Sequence, residues 1–318
     1  METFLRWLGG PALFHLRGRD SSRVRFVSGG LHGNEPSGFH AVHALLRDPS
    51  DLATDTVLLL GNVQAALLEP RFSNRVLPGG QDMNRVWGDD DPTPLGAVAR
   101  QVLEELAPLE IEAGADLHNN TGYNPVYAIS ICDGAVRRPL ARAWTRKLVL
   151  YPGTYMGTLL EQIEARAPGV VVECGQAGDP EADRVAEAGL RRFLTAEDVE
   201  QIETGEPGPP QTFRSLGRVV VRPEVSLGFG SEAGTALRVI HAIDRWNFVE
   251  LPPGTLLGRF DGEPPLVLEG GRLDVGAILA QEGGEIRTLR PIVPVMLTTN
   301  PEVAKLDCLF YVSERLEV

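Results

Sequence analysis

The sequence predicts an α/β protein with a mixed, largely parallel sheet flanked by helices, followed by a smaller β-rich domain. Between residues 23 and 200, short apolar runs alternate with helical patterns, as expected for strands that are connected through helices. A dense cluster of turn residues follows at 203–210. After this cluster, short apolar runs are separated only by Gly and Pro turns, which is typical of a β-rich domain.

The first part of the chain contains predicted strands and predicted helices in alternation. The strands are short runs rich in Val, Leu and Ile at 24–27, 56–60, 114–117, 126–131 and 170–172. The helices are predicted at 36–47, 94–106, 136–148 and 181–194. In the last helix, Val185, Gly189 or Leu190, and Phe193 or Leu194 recur at a spacing of three to four residues, which places them on one core-facing side.

The turn cluster at 203–210 contains no apolar run, and it therefore marks a boundary. We predict an α/β domain at 1–205 and a β-rich C-terminal domain at 211–318. The C-terminal strands are predicted at 219–221, 236–240, 248–251, 266–268 and 292–297.

Composition excludes several classes of function. The 30 Lys and Arg residues against 43 Asp and Glu give a net charge of -13, which disfavours binding to nucleic acid or to an anionic membrane surface. An anionic small molecule would therefore need a local group of Arg residues. The three cysteines form no CxxC pair, so neither a disulfide framework nor a thiolate zinc site is indicated. With no apolar stretch of about 18 residues and no signal-peptide pattern, we expect a cytoplasmic protein.

A glycine-rich turn at 28–38 carries the most informative side chains. It follows a predicted strand and precedes a predicted helix, which places His32 and Glu35 at the carboxyl edge of the sheet, where ligands bind in α/β proteins. Pro36 suits the first helical position, so both side chains should lie in the turn itself. Imidazole nitrogen and carboxylate oxygen are zinc ligands. An isolated His and Glu pair more often makes hydrogen bonds within a turn. A third ligand nearby would favour a metal site over this alternative.

His118 is the candidate for this third ligand. It ends the predicted strand at 114–118 and therefore also reaches the carboxyl edge. Asp116 lies two residues earlier on the same face of the strand, where it can orient a ligating imidazole; the alternative is that neighbouring backbone amides satisfy Asp116. His40 and His43 lie on the following helix and are interpreted as helix-face or core residues.

Five short motifs in register resemble the succinylglutamate desuccinylase and aspartoacylase family, which is related to the zinc carboxypeptidases. The resemblance covers residues 24–195 and extends weakly to 239–241. Its motifs are His32-Gly-Asn-Glu35-Pro36, Glu69-Pro-Arg71, Asp82-Met-Asn84-Arg85, Asp116-Leu-His118-Asn119 and Val172-Glu173-Cys-Gly175.

The resemblance implies a zinc carboxypeptidase-like fold and one Zn²⁺ per chain, held by His32, Glu35 and His118. It also implies that Glu173 is the catalytic carboxylate. Glu173 ends an apolar run, and a charge in such a place is costly without a partner, which favours a functional role over a structural ion pair. Cys174 is interpreted as a small buried side chain rather than as a nucleophile.

Three arginines form the cationic group that an anionic substrate needs. By family position, Arg71 should polarise the scissile carbonyl, and Asn84 and Arg85 should hold a substrate carboxylate. Guanidinium groups suit this task because they match a carboxylate with two donors and stay charged. Arg75 has no counterpart in the motifs and is interpreted as a solvated loop residue.

The predicted function is zinc-dependent hydrolysis of an N-acyl amino acid or a similar small anionic amide. Water activated by the metal would attack the carbonyl, and Glu173 would act as general base. One alternative is a metallocarboxypeptidase acting on short peptides, and another is a non-catalytic metal-containing protein that binds an anionic ligand. The segment 162–168 departs from the aspartoacylase pattern, so the acyl group stays open. The sequence predicts no oligomeric state.

Overall fold

The computed structural model describes residues 1–49, 51–88, 91–132, 136–152, 156–204, 206–230, 234–271 and 273–317. The chain forms two compact units: the first is Met1–Asn119, Val126–Leu148 and Tyr155–Pro210, and the second is Asn120–Pro125, Val149–Thr154 and Gln211–Val318. Two short segments of the predicted N-terminal domain thus belong to the second unit, and the domain limits 1–205 and 211–318 stay a prediction.

Seven strands that begin in the first unit form a sheet in the order β1-β3-β2-β4-β7-β5-β6. Strand β2 is parallel to β3 and to β4, whereas β1 is antiparallel to β3 and β5 is antiparallel to β7. The predicted mixed sheet is therefore confirmed. The strands are β1 Ala12–Leu16, β2 Asp20–Gly29, β3 Thr54–Leu60, β4 Ile111–Asn120, β5 Tyr127–Ser130, β6 Lys147–Leu150 and β7 Gly169–Gln176.

Helices flank this sheet, and two of them pack on each other and on strands that carry the candidate site. Helix α2 contacts β2, β3 and α7, and helix α7 contacts β7. Phe26, Leu31, Leu59 and Trp87 are buried in the core of this unit. The helices are α1 Glu2–Leu8, α2 Pro36–Arg47, α3 Val63–Leu67, α4 Pro94–Leu106, α5 Arg137–Arg142, α6 Leu159–Glu164 and α7 Pro180–Thr195, with 3-10 turns at Met83–Arg85 and Val199–Gln201.

Two glycines allow α2 to begin directly beside the end of β2. A Cβ atom on Gly38 would lie 2.8 Å from the Cα atom of Gly29, closer than side-chain atoms tolerate. Gly30 has a φ of 67°, a left-handed conformation that glycine adopts without strain. The chain therefore turns sharply after β2, and the residues between β2 and α2 stay at the carboxyl edge of the sheet.

The second unit is rich in β-strands, as predicted. Strand β16 pairs antiparallel with β8 and β15, β12 also pairs with β8, and a separate five-stranded sheet has the order β13-β14-β11-β10-β9. Its elements are β8 Gln211–Val221, β9 Leu227–Phe229, β10 Leu237–Val239, β11 Leu256–Phe260, β12 Leu266–Glu269, β13 Leu279–Glu282, β14 Glu285–Thr288, β15 Val293–Val295, α8 Pro301–Leu306 and β16 Phe310–Leu316, with 3-10 turns at Ile243–Trp246 and Val275–Ala277.

Two predicted elements differ from the structure. The helix predicted at 136–148 ends at Arg142, and its last residues belong to β6, because the side chain of Thr145 breaks the helix by binding the carbonyl of Val126 and the N–H of Lys147. The strand predicted at 248–251 is a single bridge between Leu251 and Ile292, since Phe248 has a φ of 61°. Among the described residues, every helix is too short or too polar to cross a membrane.

Candidate active site

The candidate site begins in the turn between β2 and α2. His32 lies within this turn, and Glu35 is the residue directly before the helix, with Pro36 in its first turn. Both His32 and Glu35 are buried. Nδ1 of His32 lies 2.8 Å from Oε1 of Glu35.

His118 of β4 reaches the same place. Its Nδ1 lies 2.6 Å from Oε2 of Glu35, so one nitrogen of each imidazole faces a different oxygen of the same carboxylate. The ligand atoms of His32, Glu35 and His118 all lie within 4.8 Å of one another, and all three residues are buried. The structure therefore brings together the three side chains that the sequence predicts as metal ligands.

A second carboxylate holds each imidazole from its far side. Nε2 of His32 lies 2.8 Å from Oδ1 of Asp82, and Nε2 of His118 lies 2.8 Å from Oδ2 of Asp116. A carboxylate at Nε2 favours the proton on that nitrogen and leaves the lone pair of Nδ1 for a cation. Asp116 occupies the position expected from the strand alternation, whereas Asp82 was noticed only as part of a motif.

The charges of the cluster also fit a divalent cation. Three carboxylates, those of Glu35, Asp82 and Asp116, surround the two imidazoles, and Arg75 is the guanidinium that pairs with this group. With neutral imidazoles, negative charge would be in excess in a buried place, which is costly without a cation. The two nitrogens and the carboxylate match the zinc donor set of catalytic sites.

The pKa values of the buried groups show how strongly they interact. Burial would by itself raise the pKa of Glu35, but the charges of His32 and His118 outweigh burial and hold this pKa far below its ordinary value. Burial would lower the pKa of His118, and the carboxylates of Asp116 and Glu35 raise it well above the ordinary value instead.

Glu173 lies on β7 and is buried. Burial raises its pKa to about 7, the charge of Glu35 adds to this rise, and the charges of His118 and His32 oppose it. The charges of the three-residue cluster therefore act on the Glu173 carboxyl group. A carboxylate with a pKa near neutrality can both accept and release a proton.

The arginines are arranged differently from the sequence-based expectation. Arg71 pairs with Glu2, and its Nε lies 3.6 Å from Oε1 of Glu69; among the described residues these are its ion pairs. Arg75, which the sequence left as a solvated loop residue, donates from Nε and Nη2 to Oδ2 of Asp82 at 3.1 and 2.9 Å. Its Nη1 also lies 3.5 Å from Oε1 of Glu35. The interpretation of Arg75 as a solvated residue was therefore wrong.

Asn84 and Arg85 lie in the 3-10 turn that follows Asp82. The side-chain oxygen of Asn84 accepts the N–H of Leu159 at 2.9 Å, and its Nδ2 lies 3.4 Å from Nε2 of His118. Arg85 donates from Nη1 to the carbonyl of Asn84 at 2.7 Å. Burial would raise the pKa of Asp82, but the hydrogen bond and charge of His32, together with the charges of Arg75 and Arg85, hold this pKa far below its ordinary value. Both residues thus lie beside the cluster, whereas their contact with a substrate stays a prediction.

Comparison with known proteins agrees with this site. The model of the succinylglutamate desuccinylase/aspartoacylase catalytic domain family matches residues 23–195. No curated protein sequence matches the chain.

Solved structures resemble the whole chain. A succinylglutamate desuccinylase/aspartoacylase from Rhodobacter sphaeroides is 17% identical, with a TM-score of 0.65 over 96% of this chain and 89% of that chain. Murine aminoacylase 3 is 21% identical, with a TM-score of 0.62 over 95% and 98% of the two chains. A succinylglutamate desuccinylase from Chromobacterium violaceum is 19% identical, with a TM-score of 0.59 over 99% and 96%. At these identities the structural matches establish the fold.

Proposed function

Because the chain belongs to the succinylglutamate desuccinylase/aspartoacylase family, we propose that it is a zinc-dependent hydrolase that deacylates an N-acyl amino acid or a similar small anionic amide. The observation that carries this proposal is the convergence of His32, Glu35 and His118 in one buried cluster. The names of the similar solved structures, desuccinylase and aminoacylase, support the same substrate class.

In this proposal the Nδ1 atoms of His32 and His118 and the carboxylate of Glu35 would hold one Zn²⁺. A bound Zn²⁺ lowers the pKa of water in its open position toward about 7 and polarises a carbonyl oxygen. Asp82 and Asp116 keep the two imidazoles in the required orientation through Nε2.

Glu173 transfers a proton from the attacking water to the leaving amine. Its carboxylate accepts a proton from the attacking water and then delivers it to the nitrogen of the leaving amine. A substrate amine is a poor leaving group unless it is protonated, so the same residue serves both halves of the reaction. The raised pKa of Glu173 favours the second of these transfers.

Two arginines are candidates to stabilise the oxyanion: Arg71 by its place in the family motif, and Arg75 by its contacts with Glu35 and Asp82. Asn84 and Arg85 remain the candidates for holding a substrate carboxylate. The positive charge of Arg85 would locally offset the unfavourable net charge of -13 for an anionic substrate.

Metal analysis tests the proposal directly. The purified protein should contain one zinc per chain, lose its activity on treatment with a chelator and recover it with added zinc. His118→Ala should lose zinc under conditions in which the wild type retains it, because one of three ligands is removed. His15→Ala, which changes an exposed histidine of β1, is the matched control and should retain both metal and activity.

A panel of substrates separates the candidate activities. We expect turnover of N-acetyl and N-succinyl amino acids and no turnover of dipeptides. Turnover of dipeptides alone would establish a metallocarboxypeptidase instead. Stoichiometric binding of an acyl amino acid without any turnover by the zinc-loaded protein would establish a binding protein.

The activity should fall on the acidic side as Glu173 becomes protonated. Only the ionised carboxylate accepts a proton, so activity is present above the pKa of Glu173 and is lost as the pH falls through it. Burial raises this pKa to about 7, and a bound cation lowers it. A profile of kcat/KM against pH should therefore show an acidic limb with its midpoint at or below about pH 7. A midpoint clearly above this value would contradict the role of Glu173.

A further inference from the structure

Helix α2 is capped by a residue from another element. Glu35 occupies the N-cap position, but its side chain makes no capping hydrogen bond. An N-cap side chain ordinarily accepts the N–H of the second or third helical residue. Here the N–H of Ser37, the second residue of α2, donates to Oδ1 of Asn119 at 3.0 Å. Asn119 follows His118 directly on β4.

Because Asn119 caps the helix in place of Glu35, the Glu35 carboxylate stays available for a metal. If Glu35 capped its own helix, its oxygens would point back toward Ser37 and away from His32 and His118. Asn119 also donates its backbone N–H to Oε2 of Glu35 at 3.2 Å. Asn119 thus accepts a backbone N–H of the first turn of α2 through its side chain and donates its own N–H to the Glu35 carboxylate.

The side-chain amide of Asn119 joins three segments of the site. Its Nδ2 donates to Oγ of Ser37 at 2.9 Å and to the carbonyl of Gly175 at 3.2 Å. Gly175 lies two residues after Glu173 on β7. The turn that carries Glu35, the strand that carries His118 and the strand that carries Glu173 are therefore connected through one buried side chain.

Asp183 of α7 sets the direction of these hydrogen bonds. Oγ of Ser37 donates to Oδ1 of Asp183 at 2.7 Å, and Nδ1 of His40 lies 2.5 Å from Oδ2. An ionised carboxylate only accepts hydrogen bonds, so the Ser37 hydroxyl directs its hydrogen to Asp183 and accepts the amide N–H of Asn119. The amide oxygen of Asn119 must then face the backbone N–H of Ser37.

The ionisation of Asp183 agrees with this direction. Burial would raise its pKa, but the hydrogen bonds with His40 and Ser37 outweigh burial and keep the pKa below its ordinary value.

We propose that Asn119, oriented by Ser37 and Asp183, is a positioning residue that caps α2 in place of Glu35 and thereby fixes the Glu35 carboxylate for metal binding. This inference rests on the proposed metal site, and it concerns residues that touch neither the metal nor the substrate. Groups that orient metal ligands in this way typically contribute about 10- to 100-fold to metal affinity or activity.

Variants along the chain of hydrogen bonds test the inference. Asn119→Ala, Ser37→Ala and Asp183→Ala should each lower zinc affinity about 10- to 100-fold, measured by competition with a chromophoric chelator. The visible absorption of the Co²⁺-loaded variants should also differ from that of the wild type, because the spectrum reports the arrangement of the ligands. With zinc in excess, kcat should fall while KM changes little, since none of the three residues is placed against the substrate.

Asp183→Asn is the conservative variant and should restore most of the lost affinity. Its amide oxygen can accept the Ser37 hydroxyl, and its amide nitrogen can donate to Nδ1 of His40 in the other tautomer. If Asp183→Asn loses as much zinc affinity as Asp183→Ala, Asp183 does not set the direction of these hydrogen bonds.

Asp179→Ala is the matched control for a purely structural effect. Asp179 caps the same helix α7 by accepting the N–H of Glu181 at 2.8 Å, so its loss destabilises α7 without touching Ser37. We expect wild-type zinc affinity in this variant despite a lower melting temperature. Wild-type affinity in Ser37→Ala and Asn119→Ala, or an equal loss in Asp179→Ala, would overturn the inference while leaving the proposed function intact. A wild-type protein that binds no zinc would overturn both.

Discussion

Glu173→Gln should lower kcat by about two to four orders of magnitude and leave the zinc content unchanged. Glutamine has nearly the same shape as glutamate, but its amide cannot accept a proton from water or deliver one to the leaving amine. Glu173 is not among the three side chains that converge as ligands, so its loss should not release the metal. The measurement is kcat and zinc content on the same preparation. Full activity in this variant would exclude Glu173 as general base.

The same variant should stabilise the metal-free protein, with an effect that depends on pH. The pKa of Glu173 is raised by burial from 4.5 to about 7 in the folded chain. Below the lower value the group is protonated in both folded and unfolded chains, whereas above the higher value the folded chain buries a charge, and the free energy of unfolding decreases. Glutamine is neutral throughout. The gain in melting temperature should therefore be larger at about pH 8 than at about pH 5.

Glu164→Gln provides the contrast. The Glu164 side chain is also buried, but Oε1 accepts from Nε of Arg137 at 2.9 Å and from Oγ of Ser130 at 2.6 Å. Removing the charge that pairs with Arg137 should lower stability and leave kcat unchanged. Opposite signs of the stability change in the two variants would show that Glu173 is kept charged for its chemistry and not for the fold.

The sequence predicted the parts of the site that regular structure positions. His118 was found because it ends an apolar strand, and Asp116 because alternate residues of a strand share a face. His32 and Glu35 were found because a glycine-rich turn between a strand and a helix stays at the carboxyl edge of the sheet. In each case the side chain lies in a regular element or directly beside the end of one, so the direction of that element determines its place.

The arginines could not be assigned in this way. Arg71 and Arg75 lie between α3 and the 3-10 turn at Met83–Arg85, outside helices and strands, so no period relates their side chains to the cluster. Phe72, between the two arginines, has a φ of 56°, a conformation that neither a helix nor a strand pattern predicts. The motif containing Arg71 was recognisable, but the contacts of Arg75 depend on the path of this loop.

Asn119 was part of a motif, but the sequence assigned it no role, for a different reason. Its importance comes from Ser37, Gly175 and Glu35, which are distant from it in sequence. Each of these residues has an ordinary local environment when the sequence alone is considered. Hydrogen bonds that join separate elements become visible only when the fold is known.

Arg75→Ala should lower kcat by about 10²- to 10³-fold, the usual effect of removing one preorganised oxyanion donor. Arg71→Ala, by contrast, should lower kcat less than about tenfold, because Arg71 pairs with Glu2 and Glu69 while Arg75 contacts the cluster. The comparison decides between the sequence motif, which favours Arg71, and the observed contacts, which favour Arg75. Measuring kcat and KM for both variants separates transition-state stabilisation from substrate binding.

Arg75 also holds Asp82, which in turn orients His32, so a lower kcat in Arg75→Ala could arise from a disturbed metal site. Arg75→Lys distinguishes the two effects, because lysine retains the positive charge beside Asp82 but loses the planar fork of donors. If Arg75 stabilises the oxyanion, the lysine variant should keep its zinc and still lose most of its kcat. Wild-type kcat in Arg75→Lys, or a larger loss of kcat in Arg71→Ala than in Arg75→Ala, would assign oxyanion stabilisation to Arg71.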